Sequence, residues 1–143
     1  MRHQNHSKRL ARKPSQARSI LKNLATSILL YERVRTTKKR AQVVRSLVDK
    51  IITIAKKNRT DLAIRRINTI VMDENACKKI FEVLKPRYAD RTSGFTRIEA
   101  VGMRGGDGAL LCEISLIDAA APVVVDEKVS AAPKKKTSSK KSA

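Results

Sequence analysis

His3 and His6 are the two histidines of the chain, and their spacing could ligate a metal ion on a helix. They lie in a segment without helical periodicity and without a carboxylate or thiol partner. They read instead as donors, or as flat rings that stack, within an arm that meets nucleic acid. Cys77 and Cys112 have no nearby His or second Cys. That spacing matches no zinc motif, and two cysteines are too few for a disulfide framework, so reduced, half-buried thiols are expected. Glu99, Asp107 and Glu113 could be imagined as the paired carboxylates of a nuclease, but no further acidic cluster supports a two-metal site. The run Arg104-Gly105-Gly106-Asp107-Gly108 lacks the Lys-Ser/Thr of a phosphate-binding loop and joins two predicted strands. It is expected as a hairpin turn. Nothing in these residues demands catalysis, and no cofactor, metal or small-molecule substrate is predicted.

The residue types do support capture of a polyanion. The chain has 143 residues with 32 Lys/Arg against 13 Asp/Glu, a formal net charge of +19 and a pI of about 10.6. Residues 1–40 hold twelve of the cations and a single acid, Glu32. So acid-poor a segment repels itself unless a polyanion neutralises it. A membrane-surface helix would want Trp or Phe on its apolar face, and the basic segment has neither. No apolar run approaches the roughly 20 residues that cross a bilayer, and no hydrophobic stretch follows the first charges as in a secretory signal. A DNA-architectural protein would share the charge, but neither helix-turn-helix spacing nor an intercalating wedge is evident. The aromatics are Tyr31, Phe81, Tyr88 and Phe95. So few argue against a platform that stacks single-stranded bases and for reading the backbone and shape of structured RNA.

These residues need elements to position them. Residues 1–13 have almost no apolar content and read as a basic N-terminal arm. Residues 14–118 are expected to form one globular RNA-binding domain, and residues 119–143, rich in Lys, Ala and Ser, a disordered tail. Ser15 is a plausible N-cap for a helix whose stripe is Ala17, Ile20, Leu21, Leu24, Ala25, Ile28 and Leu29, with Arg18 and Lys22 facing outward. A strand over 31–36 would put Arg33 and Arg35 on one face. Thr37 then caps a second helix with Ala41, Val44, Val48, Ile51, Ile52 and Ala55 as its buried stripe. Lys38, Lys39 and Arg40 fall in that helix's first turn, where cations oppose the macrodipole. An external phosphate lattice would compensate them. A short helix from Asp61 and another capped by Asp73 and ending at Pro86 follow. Strands over 95–103 and 109–117 flank the glycine-rich turn. The fold class is α+β, a two-layer arrangement in the order α-β-α-α-α-β-β. Its helices are expected on one face of a small mixed three-stranded sheet.

The candidate RNA contacts fall in three groups. The first is Arg2, His3, Lys8, Arg9, Arg12, Lys13, Arg18 and Lys22. The second is Arg33, Arg35, Lys38, Lys39 and Arg40. Arg91, Arg97 and Arg104 form a third. Each cation that meets a phosphate releases condensed counterions, and Arg adds planar, bidentate contacts.

Several segments in order also resemble the bacterial large-subunit ribosomal protein L17 family. They are Met1-Arg2-His3, Arg12-Lys13-Pro14-Ser15, Val34-Arg35-Thr36-Thr37-Lys38, Pro86-Arg87-Tyr88, the run from Arg91 to Ile98, and Arg104-Gly105-Gly106-Asp107. The resemblance covers about residues 1–118, and the tail from Ala119 departs from it. It implies a non-enzymatic constituent of the large subunit, in the cytoplasm. Its implied partners are large-subunit rRNA and neighbouring ribosomal proteins near the exit of the nascent-peptide tunnel. No membrane partner and no free homo-oligomer in the assembled particle are expected.

Overall fold

The computed structural model describes residues 9–118. Pro14, rather than Ser15, sets the start of helix α1 (Pro14–Tyr31), with Lys13 at the N-cap. Proline lacks the N–H that a first helical residue cannot use, and it forces the residue before it into an extended conformation. The helix stops because Glu32 turns left-handed (φ 62°) and returns its N–H to the Ile28 carbonyl at 2.9 Å. The chain then enters strand β1 (Arg33–Thr37), which leads directly into helix α2 (Lys38–Lys57). Thr37 is the N-cap by position and backbone, but its side chain makes no capping hydrogen bond. All six residues of the α2 stripe are buried, and Val43 joins them.

Helix α3 (Thr60–Asn68) begins one residue before Asp61. Asp73 caps α4 (Glu74–Lys79) as expected, its carboxylate accepting the Asn75 N–H at 2.8 Å. Pro86 does not end this segment. The chain passes through a π-helical turn (Ile80–Leu84) into the single turn α5 (Lys85–Arg87), and the Lys85 N–H reaches back five residues to Ile80. A proline ring clashes with the carbonyl four residues before it, and one wide turn gives that carbonyl room.

Strands β2 (Thr96–Met103) and β3 (Leu110–Leu116) form the hairpin. The sheet order is β1-β3-β2, and both pairings are antiparallel. The expected mixed sheet is therefore corrected to an antiparallel one. A helical crossover usually returns to a parallel neighbour. Here the place beside β1 is taken by the second strand of the hairpin, running opposite to both β1 and β2. In β3, Cys112, Ile114 and Leu116 alternate into the core, and Leu110 on the same face is partly buried.

Helix α2 lies at the centre of the helical layer, against α1, α3, α5 and all three strands. The two largest fully buried side chains, Tyr88 and Phe95, pack with ring centroids 5.1 Å apart and pin the loop between α5 and β2. The Phe95 N–H donates to the Asp49 carboxylate of α2 at 3.1 Å, and the Lys56 ammonium sits 5.7 Å from the Phe95 ring centre. The Tyr88 hydroxyl donates to the Ile117 carbonyl at the end of the sheet. Burial pushes this phenol above its ordinary pKa, so it stays a neutral donor. Replacing Tyr88 with Phe deletes that bond and little volume. The expected cost is about 1 kcal/mol, or a melting temperature lower by roughly 4–8 °C for a domain of this size. An unchanged thermal unfolding curve would mean the hydroxyl does not tie the loop to the sheet.

Candidate nucleic-acid interface

Two faces of the molecule carry the candidate cations, and they differ in how those cations are matched. On the first, the segment after Arg9, the start of α1 and the first turn of α2 enclose an open groove of about 910 Å³. It is lined by Arg9, Arg12, Arg18 and Lys39 together with the apolar Leu10, Ala11, Pro14, Ala17 and Leu21. The first turns of α1 extend past the core, so that Lys13 and Arg18 stand exposed. Lys38 and Arg40 flank Lys39 at the start of α2, and both are exposed. Among the described residues, no carboxylate pairs with Arg9, Arg12, Lys13, Arg18, Lys38 or Arg40. Like charges gathered without counter-ions from the protein make a positive field that only an external anion relieves.

Lys22 does not stay on the outward face. Its ammonium donates to the Thr69 carbonyl at 2.7 Å, because the end of α3 comes up beside α1. A cation there satisfies a carbonyl that the helix leaves open. Arg45 was absent from the sequence-derived set, yet it is exposed two turns along α2 from Lys38. Helical spacing alone could have found it. Arg2, His3 and Lys8, like the segment 119–143, lie outside the described residues.

The second face is the side of the sheet turned away from the helices. Arg33 and Arg35 do share it, and both meet Glu113, at 3.7 and 3.2 Å. Arg97 lies 3.6 Å from Glu99. Arg91 reaches Asp118 at 3.9 Å and the Gly94 carbonyl at 3.3 Å. Arg104 is held across the hairpin turn by Asp107, with an Nε–Oδ1 distance of 2.9 Å. The Arg104 hydrogen bonds hold the Asp107 carboxyl down at about 2, so the clamp persists at any ordinary pH. The Ala109 N–H donates to the same carboxylate, and Gly106 and Gly108 supply the positive φ angles (100° and 62°) that close the turn. The glycines thus build a hairpin end, as the sequence suggests.

Glu32, the lone acid among the first forty residues, is not part of an interface. Lys79 at 2.7 Å and Arg87 at 2.9 Å converge on its two carboxylate oxygens, and Lys79 also donates to the Leu30 carbonyl. Burial pushes the Glu32 carboxyl up, but the hydrogen bonds from Arg87 and Lys79 outweigh it, and its pKa is lowered.

The catalytic alternatives find no support in the geometry. Glu99 and Glu113 lie opposite one another in the sheet, but each is matched by arginine. Among the described residues no group of His, Cys, Asp and Glu could hold a metal ion. Cys77 and Cys112 are free thiols and both are buried, deeper than the half-buried state expected. No described helix is long and apolar enough to cross a membrane.

Residues 20–117 match the sequence profile of a family described as ribosomal protein L17. The chain is 44% identical over 111 residues to the large ribosomal subunit protein bL17 of Caldanaerobacter subterraneus subsp. tengcongensis, covering 77% of this chain and 97% of that one. It is 41% identical over 123 residues to bL17 of Trichlorobacter lovleyi, with 85% and 98% covered. To bL17 of Desulforudis audaxviator it is 42% identical over 111 residues, with 77% and 97% covered.

Proposed function

Because the chain belongs to the ribosomal protein L17 family, we propose that it binds structured large-subunit rRNA through the groove between its N-terminal segment, α1 and the first turn of α2. As a family member it is a structural constituent of the large ribosomal subunit, in the cytoplasm, and not an enzyme. The observation that carries the finer reading is that Arg9, Arg12 and Arg18 on that groove, with Lys38 and Arg40 beside it, have no carboxylate partner among the described residues. Phosphates of folded RNA supply the missing counter-charge, with counterion release as the driving term. The apolar lining residues between Leu10 and Leu21 give the sugar edges a surface to lie against. Lys38 and Arg40 sit where a helix disfavours cations, a local cost that phosphates in contact would offset. Arg2, His3 and Lys8 precede this groove in sequence and extend the same basic run. The family resemblance supports a position beside the exit of the nascent-peptide tunnel, among other ribosomal proteins. Arg91, Arg97 and Arg104, each already matched by a carboxylate, contribute less to RNA affinity.

The test is co-sedimentation. The chain should travel with large subunits through a high-salt wash that strips loosely held basic proteins. Recovery in the soluble fraction would contradict an integral place in the particle.

A further inference from the structure

A second groove, of about 330 Å³, lies between α3 and the helical segment from Glu74 to Glu82, and its chemistry differs from that of the first. Ile64, Cys77 and Phe81 are its apolar lining, and Glu74, Lys78 and Glu82 bring its charges. The RNA groove is lined by four cations and no acid. Here two carboxylates outnumber one ammonium, in a chain of net charge +19. Neither Glu74 nor Glu82 has an ion-pair partner among the described residues. Carboxylates left unmatched repel phosphate and attract ammonium. Ile64 and Phe81 are only partly buried against the core, so part of their apolar surface is uncovered.

The chain carries a segment that fits this groove. Its last described residue, Asp118, is tied to Arg91 at 3.9 Å, and the Tyr88 hydroxyl donates to the carbonyl of Ile117 before it. The chain therefore leaves the domain beside Tyr88. Phe81 comes seven residues before Tyr88 in the same helical run, about 10 Å along its axis. Residues 119–143 follow Asp118 and lie beyond the family match. Their apolar cluster, Val123-Val124-Val125, stands five to seven residues past Asp118, a length that spans about 16–25 Å when extended. Charges of both signs come next. Lys128 and Lys134-Lys135-Lys136 complement Glu74 and Glu82, and Asp126 and Glu127 complement Lys78. A tether this short holds the segment at an effective concentration on the order of millimolar, so a contact too weak to join separate chains persists here.

We propose that the groove between α3 and α4 is the docking site of this chain's own segment 123–136, with the valines over Ile64, Cys77 and Phe81 and the lysines beside Glu74 and Glu82. The docking belongs to the free chain and does not depend on the RNA groove. Its test uses the full protein without RNA, carrying a diazirine side chain at position 124. Irradiation of a dilute sample is expected to give an intramolecular adduct with a peptide from residues 60–82. An adduct anywhere else in the chain, an adduct with a second copy, or none at all overturns the proposal. A second measurement uses Cys77 as reporter, because it lines the groove. Val123→Ser, Val124→Ser and Val125→Ser together, all outside the described residues, should uncover it. Cys77 should then react with a small aromatic disulfide roughly three- to tenfold faster than in the wild type. Cys112, buried in the sheet, should keep its rate and so report an unchanged fold. An equal rate at Cys77 in both proteins, or a change of the same size at Cys112, overturns the docking.

Discussion

Glutamine in place of Arg9, Arg12, Arg18, Lys38 and Arg40 is expected to remove most of the rRNA affinity while leaving the fold intact. All five are exposed and have no carboxylate partner among the described residues, so their loss breaks no internal ion pair. If each meets one phosphate, the slope of log K against log salt should shrink by roughly 3.5 to 4.5, taking about 0.7–0.9 per contact. Near 0.15 M salt that corresponds to a loss on the order of a thousandfold. Stability should move slightly the other way. Lys38 and Arg40 oppose the α2 dipole at a few tenths of a kcal/mol each, and fewer like charges relieve self-repulsion. Salt-dependent filter binding with an rRNA fragment, beside thermal unfolding of the free protein, separates the two effects. A lower melting temperature with an unchanged slope would assign these residues to the fold and withdraw the groove as the RNA site.

A large stability loss is expected at Glu32. Replacing it with Ala leaves Lys79 and Arg87, whose side chains are only 25% and 21% exposed, facing one another with no anion between them. A fully buried pair broken in this way costs 3–5 kcal/mol, and partial exposure reduces that to about 2–3. For a domain of this size the melting temperature should fall by roughly 10–20 °C. Glu32→Gly should be the milder change, by about 1 kcal/mol, because glycine takes the left-handed backbone at this position (φ 62°) without strain. The pH dependence follows from the lowered Glu32 pKa. On acidification the unfolded chain binds this proton first, so the stabilisation is complete above the ordinary carboxylate pKa and disappears as pH falls through the lowered folded value. The gap between the wild type and Glu32→Ala should therefore be constant at neutral pH and close in acid. A gap that persists at the lowest pH would show that packing, not charge, is what the substitution removes.

Much of this was legible from spacing. The 3.6-residue stripe of α2 identifies six buried residues because a helix facing a core has no other economical pattern. The alternation in β3 does the same for a half-covered strand. What spacing does not encode is which elements meet. Glu32 reads as a stray acid in a basic run until α4 and α5 bring Lys79 and Arg87 to it from beyond position 78. Lys22 reads as outward until α3 supplies the Thr69 carbonyl. Pro86 reads as a stop, because a list of residues does not show that a widened turn relieves its clash. The candidate site divides in the same way. Its cations were visible as a composition, but Glu113 neutralises Arg33 and Arg35 across some eighty positions of sequence, and only the register of the sheet reveals that pairing.

The strand order also sets the sequence in which the molecule can be completed. The middle strand, β3, is the last of the described elements to be made as the chain grows from its N-terminus. Until it arrives, β1 and β2 have no hydrogen-bonding neighbour, and the apolar side of α2 lacks Cys112, Ile114 and Leu116. Every ladder contact of β1 spans more than seventy residues, which is the slow, non-local kind of closure. The cations of the segment after Arg9 and of α1, by contrast, are made early, and they lie outside the sheet. A nascent chain could thus engage a polyanion with its N-terminal cations while its sheet is still open. Binding partner and folding core would then be acquired in the reverse of the usual order, with RNA restraining a half-built protein whose final strand closes both layers at once.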